Sequence, residues 1–216
     1  MTILMTDAGP VAPDALLTRT GGTPLAPAGT AWPHCATCEG PMQFLAQILL
    51  DDLGRHAGTG ASDGRGLLAL FMCRNNPGGC QEWSPRAGGN RALLLPAEGA
   101  RPLPLPDLDE HADEDDDPRL LGAVRAVSHQ PAPGTGYARA RLRPTPGRPL
   151  GQLGGEPGWL QYDETPECPG CARPMPFAAQ LEEGPDPVTA MNFGGGGSAY
   201  AFACEPCDHA AFLWQC

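Results

Sequence analysis

Eight of the chain's nine cysteines fall into four close pairs, and the pairs form two sets. Cys35 and Cys38 are followed, after 34 residues, by Cys73 and Cys80; Cys168 and Cys171 are followed, after 32, by Cys204 and Cys207. A CxxC turn holds two thiolates at the separation that a tetrahedral ion requires. Two such pairs per set supply the four soft ligands of a closed site. The spacing therefore predicts two structural zinc ions per chain. Cys35, Cys38, Cys73 and Cys80 hold one, and Cys168, Cys171, Cys204 and Cys207 hold the other. His209 is a substitute ligand to be tested and His34 a neighbour able to support Cys35, with an ordinary surface histidine the favoured reading of each, and Cys216 is the spare thiol.

The two sets belong to an internal repeat. A shift of 133 positions places Gly21, Gly22, Pro24, Pro33, Cys35, Cys38, Pro41, Met42, Phe44, Ala46 and Gln47 on identical residues, 11 matches in 27 positions without a gap. Chance gives about two or three, so duplication is the economical explanation. A second block, shifted by 131, matches Gly64, Gly66, Phe71, Cys73 and Trp83 to Gly195, Gly197, Phe202, Cys204 and Trp214. On this alignment both cysteine-to-tryptophan loops have one length, and the fourth ligand has moved within it.

With 29 glycines and 26 prolines in 216 residues, long helices are disfavoured. Met42, Phe44, Ala46 and Ile48 alternate as one face of a strand, and residues 66–73, 91–95, 198–204 and 211–215 are further short apolar runs. Residues 118–128 are the best helix candidate. The expected fold is mainly β (α+β): an internally duplicated antiparallel β-sheet domain with two four-cysteine zinc sites. Residues 1–20 read as an N-terminal extension, 21–102 as the first repeat, 103–149 as a connector and 150–216 as the second repeat. The connector opens on a run of Asp and Glu between residues 107 and 117, read as solvated chain, and continues with Arg139, Arg141, Arg143 and Arg148, which balance that run. Gly194 to Gly197 lacks the Lys-Ser/Thr of a phosphate loop and reads as a turn before a strand.

A four-thiolate site has no open position, so it stabilises the fold and does not activate water. The sequence carries no HExxH, no nucleophile elbow, no HxE with a downstream PCxxC and no dinucleotide loop after a strand. It therefore reads as a binding protein, not an enzyme, with a hydrolase built from scattered residues as the third alternative. No apolar run approaches the roughly 20 residues of a membrane span, and the first residues lack a signal peptide's basic and apolar regions, so a cytoplasmic location is expected. The net charge of -11, made more negative by zinc-thiolate centres, favours a basic protein partner over nucleic acid.

The GGxP openings at Gly21 to Pro24 and Gly154 to Pro157, the CxxCxxPMxFLAQI run from Cys35 to Ile48, and the closing NFGGGGSAYAFACEPC and FLWQC together resemble the YwqG-like family. They resemble the programmed cell death protein 2 group more distantly. The resemblance implies a duplicated β-rich domain without established enzymatic activity, whose eukaryotic relatives chaperone a ribosomal protein. On these grounds the expected function is a zinc-stabilised protein-interaction module, a chaperone or assembly factor for a basic client. An RNA-binding or RNA-processing factor is the alternative. Limited proteolysis should cut within residues 103–118 before either cysteine block, as mass spectrometry of early fragments will show, because like charges and prolines resist packing there.

Overall fold

The computed structural model describes residues 1–57, 66–107, 119–184 and 190–216. Its strands are β1 (Thr2–Pro10), β2 (Arg19–Thr20), β3 (Leu25–Ala26), β4 (Gln43–Leu49), β5 (Gly66–Met72), β6 (Asn90–Pro96), β7 (Arg101–Pro102), β8 (Arg125–Ala132), β9 (Pro149–Leu153), β10 (Phe177–Glu182), β11 (Ser198–Cys204) and β12 (His209–Gln215). Two α-helices, α1 (Leu50–Ala57) and α2 (Tyr137–Ala140), and a single 3-10 turn at Glu205–Cys207 complete the described elements. Ten strands form one antiparallel sheet in the order β12-β11-β10-β9-β1-β8-β2-β4-β5-β6, and β3 pairs with β7 apart from it. The protein is mainly β, as the turn-rich sequence requires.

That strand order is a palindrome. Exchanging β1 with β8, β2 with β9, β4 with β10, β5 with β11 and β6 with β12 reproduces it in reverse, which is the topology of a duplicated unit. Each half has given its leading strand to the other: β1 pairs with β9, and β8 pairs with β2. The two exchanged strands meet at the centre of the sheet. They run from Thr2 opposite Ala132 to Pro10 opposite Arg125, and the Thr6 and Ser128 hydroxyls share a 2.7 Å hydrogen bond.

Two sequence expectations are corrected here. Residues 1–20 are not an extension, because Ile3 and Met5 enter the main core and Leu4 a smaller cluster on the opposite face. Their apolar run is too short to be recognised without its partners. Of the expected helix 118–128, the described residues 119–128 are not helical: β8 begins at Arg125, inside the expected connector, and long-range pairing with β1 overrides the local pattern. The connector's start is docked as well. Leu103 N–H donates to the Pro24 carbonyl at 2.8 Å, and Leu103 and Leu105 join the core of the first half. The acidic stretch 108–118 lies outside the described residues.

The sheet curls until its edges approach one another, Trp214 N–H reaching the Trp83 carbonyl at 3.3 Å. Side chains from both halves fill the concave side, among them Ile48, Leu70, Leu153, Ala179 and Phe212. A bulge alters the alternation expected of β4. Register slips between Phe44 and Ala46, so Met42 and Phe44 face an outer cluster whereas Ala46 and Ile48 face the shared core. The same slip falls between Phe177 and Ala179 in β10.

Pairing also corrects the tryptophan alignment. Phe71 and Phe202 are equivalent, and they sit opposite Arg91 and Ala211, so the counterpart of Trp214 is Leu94 and not Trp83. The loop before β6 is therefore the longer one. Trp83 is 40% exposed and contacts the Trp214 ring edge-on at 6.2 Å.

The repeated glutamine has a structural cause. Gln47 Oε1 accepts the Leu25 N–H at 2.9 Å, and Gln180 Oε1 accepts the Gly158 N–H at 2.8 Å, each from a buried position. These bonds tie the glycine-proline opening of each half to its first long strand. Gln47→Met keeps the volume but orphans a buried N–H. It should lower stability by about 1–3 kcal/mol, measured as a shift in the urea midpoint with the slope unchanged.

Candidate metal centre

Each cysteine set clamps the paired ends of two strands. Cys35 and Cys38 precede β4, Cys73 follows β5, and the β4–β5 register sets Gln43 against Met72 at that end. Cys168 and Cys171 precede β10 and Cys204 ends β11, so the second half repeats the arrangement. A gap of 34 or 32 residues is thus the length of a strand pair with its connection.

The turns coincide in detail. Cys35 N–H donates to the Gly40 carbonyl at 2.9 Å and Cys168 N–H to the Arg173 carbonyl at 2.8 Å, while isolated bridges join His34 to Pro41 and Glu167 to Pro174. All non-glycine residues with positive φ among the described residues, Glu39, Gln81, Ala172 and Asp208, directly follow the second cysteine of a pair. Such conformations cost free energy and persist only where the surroundings enforce them. Cys80 and Cys207 are therefore structural counterparts although no gapless alignment superposes them.

The sulfurs of Cys35, Cys38, Cys73 and Cys80 lie within 4.8 Å of one another, as do those of Cys168, Cys171, Cys204 and Cys207. The Cys38–Cys73 separation is 3.6 Å and the Cys171–Cys204 separation 4.0 Å. Four sulfurs about 2.3 Å from a tetrahedral zinc lie about 3.8 Å apart, between those two values. Both clusters are positioned to hold metal ions. His209 lies outside the second quartet, and His34 Nδ1 bonds the Trp32 carbonyl at 3.0 Å instead of supporting a sulfur. Cys216 is exposed and belongs to neither cluster.

Crowding splits the thiols. Burial opposes ionisation of Cys35, yet amides from Cys38 and Thr37 with neighbouring thiols bring its pKa to about 7. Arg173 draws Cys171 down to about 6. Cys73 and Cys80 are pushed up chiefly by burial, Cys204 likewise, and Cys207 reaches about 12 through its hydrogen bond with Cys204 and burial. A full set of four thiolates thus needs a cation between them. Two neighbours escaped the sequence reading. Asn75 Nδ2 approaches the Cys73 and Cys38 sulfurs at 3.5 and 3.6 Å, and Arg173 serves Cys171. Arg173, two residues beyond its CxxC, was the legible one of the two.

An outer aromatic cluster backs each centre. Trp32 meets Phe71 edge-on at 5.8 Å beside Cys35, Cys73 and Cys80; Trp159 stacks on Phe202 at 6.1 Å beside Cys168 and Cys204. The tryptophans come from unaligned positions and fill the same role. The 194–197 glycine loop is occupied by the protein itself: Glu183 Oε2 accepts N–H groups of Phe193, Gly195 and Gly197 at 2.8, 2.9 and 3.3 Å. Of the connector arginines, Arg141 pairs with Glu182 at 3.1 Å.

Residues 18–121 are similar to the family described as "Domain of unknown function (DUF1963)". Over 64 residues the chain is 38% identical to the "Uncharacterized protein YpfL" of Salmonella typhimurium; the match covers 30% of this chain and 14% of that relative's length. No described helix is long and apolar enough to cross a membrane.

Purified protein should retain two tightly held metal ions per chain after dialysis, by elemental analysis. Cys35→Ser or Cys168→Ser should lower the count by one. Each should also cost several kcal/mol of the roughly 10–16 kcal/mol a structural zinc provides at neutral pH, read as a lower unfolding midpoint.

Proposed function

We propose that both cysteine clusters hold zinc and that the protein is a zinc-clamped protein-interaction module, acting as a chaperone or assembly factor for a basic client. The observation that carries this reading is a cleft of about 410 Å³ at the seam between the halves. Leu121, Leu150 and Met191 give it apolar lining, with Asp7 and Glu182 among its charged groups. Asp7 is held by Arg125 at 2.6 Å and Glu182 by Arg141 at 3.1 Å, so an incoming lysine or arginine would replace a partner already present. The net charge of -11 steers basic segments toward the protein, and the continuous sheet that supplies Asp7, Arg125, Leu150 and Glu182 to the cleft's lining keeps it preformed. The resemblance to the YwqG-like family and the programmed cell death protein 2 group, carried by the GGxP and CxxCxxPM runs, supports a chaperone role.

RNA binding is the second reading, favoured by Arg125 and Arg148 in the same cleft. One variant separates the two. Ala123 is exposed and lines the cleft, so Ala123→Arg should weaken a basic protein client several-fold and strengthen RNA binding. In pull-downs from RNase-treated lysate, a basic protein retained at low salt and released as ionic strength rises is the expected outcome. Capture that disappears with RNase, or that strengthens with Ala123→Arg, overturns the client reading in favour of RNA.

A further inference from the structure

Away from the cysteines, Asp52 and His56 lie one helical turn apart on α1, at the i and i+4 spacing that puts two side chains on one face. His129 comes to them from β8. It sits opposite Met5, a member of the shared core, and so points to the concave side of the sheet where Leu50 and Leu53 seat the helix. One carboxylate oxygen of Asp52 and one nitrogen of each imidazole lie within 4.8 Å of one another. The imidazole centroids are 5.1 Å apart.

We propose that Asp52, His56 and His129 form a third metal site, which takes a divalent first-row transition ion through two imidazoles and one carboxylate and leaves further positions open.

Three observations bear on it. His129 Nε2 is buried and has no hydrogen-bond partner among the described residues. A buried polar nitrogen left unpaired costs about 1–3 kcal/mol, and a bound cation supplies the missing partner. Thr18 Oγ1 donates to Asp52 Oδ2 at 2.7 Å and so orients the carboxylate as metal-bound carboxylates are oriented; Arg55 Nη1, 3.3 Å from Oδ1 on a largely exposed side chain, would swing out to solvent when an ion takes that oxygen. Thr18 Oγ1 in turn accepts the Leu49 N–H at 3.0 Å, which fixes the start of α1. The donor set is also selective. Imidazole with carboxylate suits zinc, iron, cobalt or manganese over calcium, whereas the thiolate quartets favour softer binding. A bound ion would draw the donor atoms to about 3–3.5 Å from one another, given metal–ligand bonds near 2.0–2.2 Å. His56 is half-buried, so ion and water reach the site.

Three protein ligands with open positions make a chemically different centre from the closed thiolate sites. Such an ion exchanges more readily, and its free positions accept water or a small anionic or carbonyl ligand.

The test uses untagged, zinc-replete protein titrated with cobalt(II) in chelator-free buffer, with equilibrium dialysis and visible absorption as readouts. Uptake of one cobalt per chain is expected, with the two zinc ions retained and without the intense near-ultraviolet bands of cobalt–thiolate ligation. His56→Gln and His129→Gln should each weaken that uptake ~10-fold or more while far-ultraviolet circular dichroism and zinc content stay unchanged. Should His129→Gln fail to fold, His56→Gln, near the end of the helix, decides alone. No uptake by the wild type, uptake only by displacement of zinc from the cysteines, or full uptake by His56→Gln overturns the proposal.

Discussion

The ladder between β1 and β8 is the pairing on which the rest of the sheet depends. Each of these strands is the inner neighbour of the other half's β9 or β2, so the two halves are joined by main-chain hydrogen bonds and not only by packed surfaces. The shared concave core follows from that exchange. Ile3 and Met5 from β1 meet Leu121 and Val127 around β8, and the side chains of both repeats converge on them. Neither half can bury its apolar face without the strand lent by its counterpart.

The cysteine clusters lie at the ends of other ladders of that sheet, β4–β5 and β10–β11. Backbone hydrogen bonds hold β4 to β5 and β10 to β11, but strand ends fray where pairing stops. A metal ion held between a turn before one strand and the residue after its neighbour would fix that end without a larger apolar core. This division of labour suits a chain with short strands and many turns. The proposed Asp52, His56 and His129 centre differs in kind, because it joins a helix of the first half to a central strand. A closed pair of centres would stabilise the scaffold, and the proposed open one would give it a place for chemistry. The absence of an enzymatic motif in the sequence therefore bears on linear motifs alone.

What could be read from the sequence was whatever the duplication wrote twice. The cysteine pairs, β4, β5, β6, β10, β11 and β12 carry local patterns that recur, and repetition separates them from background. What could not be read depends on partners distant in the chain. The run Ile3 to Met5 looks like an unremarkable start until β8 and β9 flank it, and the helical pattern read over residues 118–128 gives way to a strand at Arg125 where β1 pairs with it. A bulge at Phe44 and Ala46 changes which face a side chain meets, and no spacing rule announces it. Trp83 and Trp214 aligned by letter, yet the ladder registers place them at different positions. Asp52 and His56 become an i, i+4 pair only once Leu50–Ala57 is known to be a helix, and nothing in the chain connects them to His129 before the strands are assembled.

The exchanged leading strands carry a historical implication. A protein with one repeat, lending its first strand to a second copy and receiving that copy's strand in return, would assemble the same ten-stranded sheet as a two-fold homodimer. Fusion of two such copies leaves the contacts in place and makes their meeting intramolecular, so assembly no longer depends on protein concentration. Once fused, the halves were free to diverge. The longer loop before β6, the lone histidine on β8 and the different tryptophans behind each metal centre are the asymmetries that a symmetric dimer could not have kept.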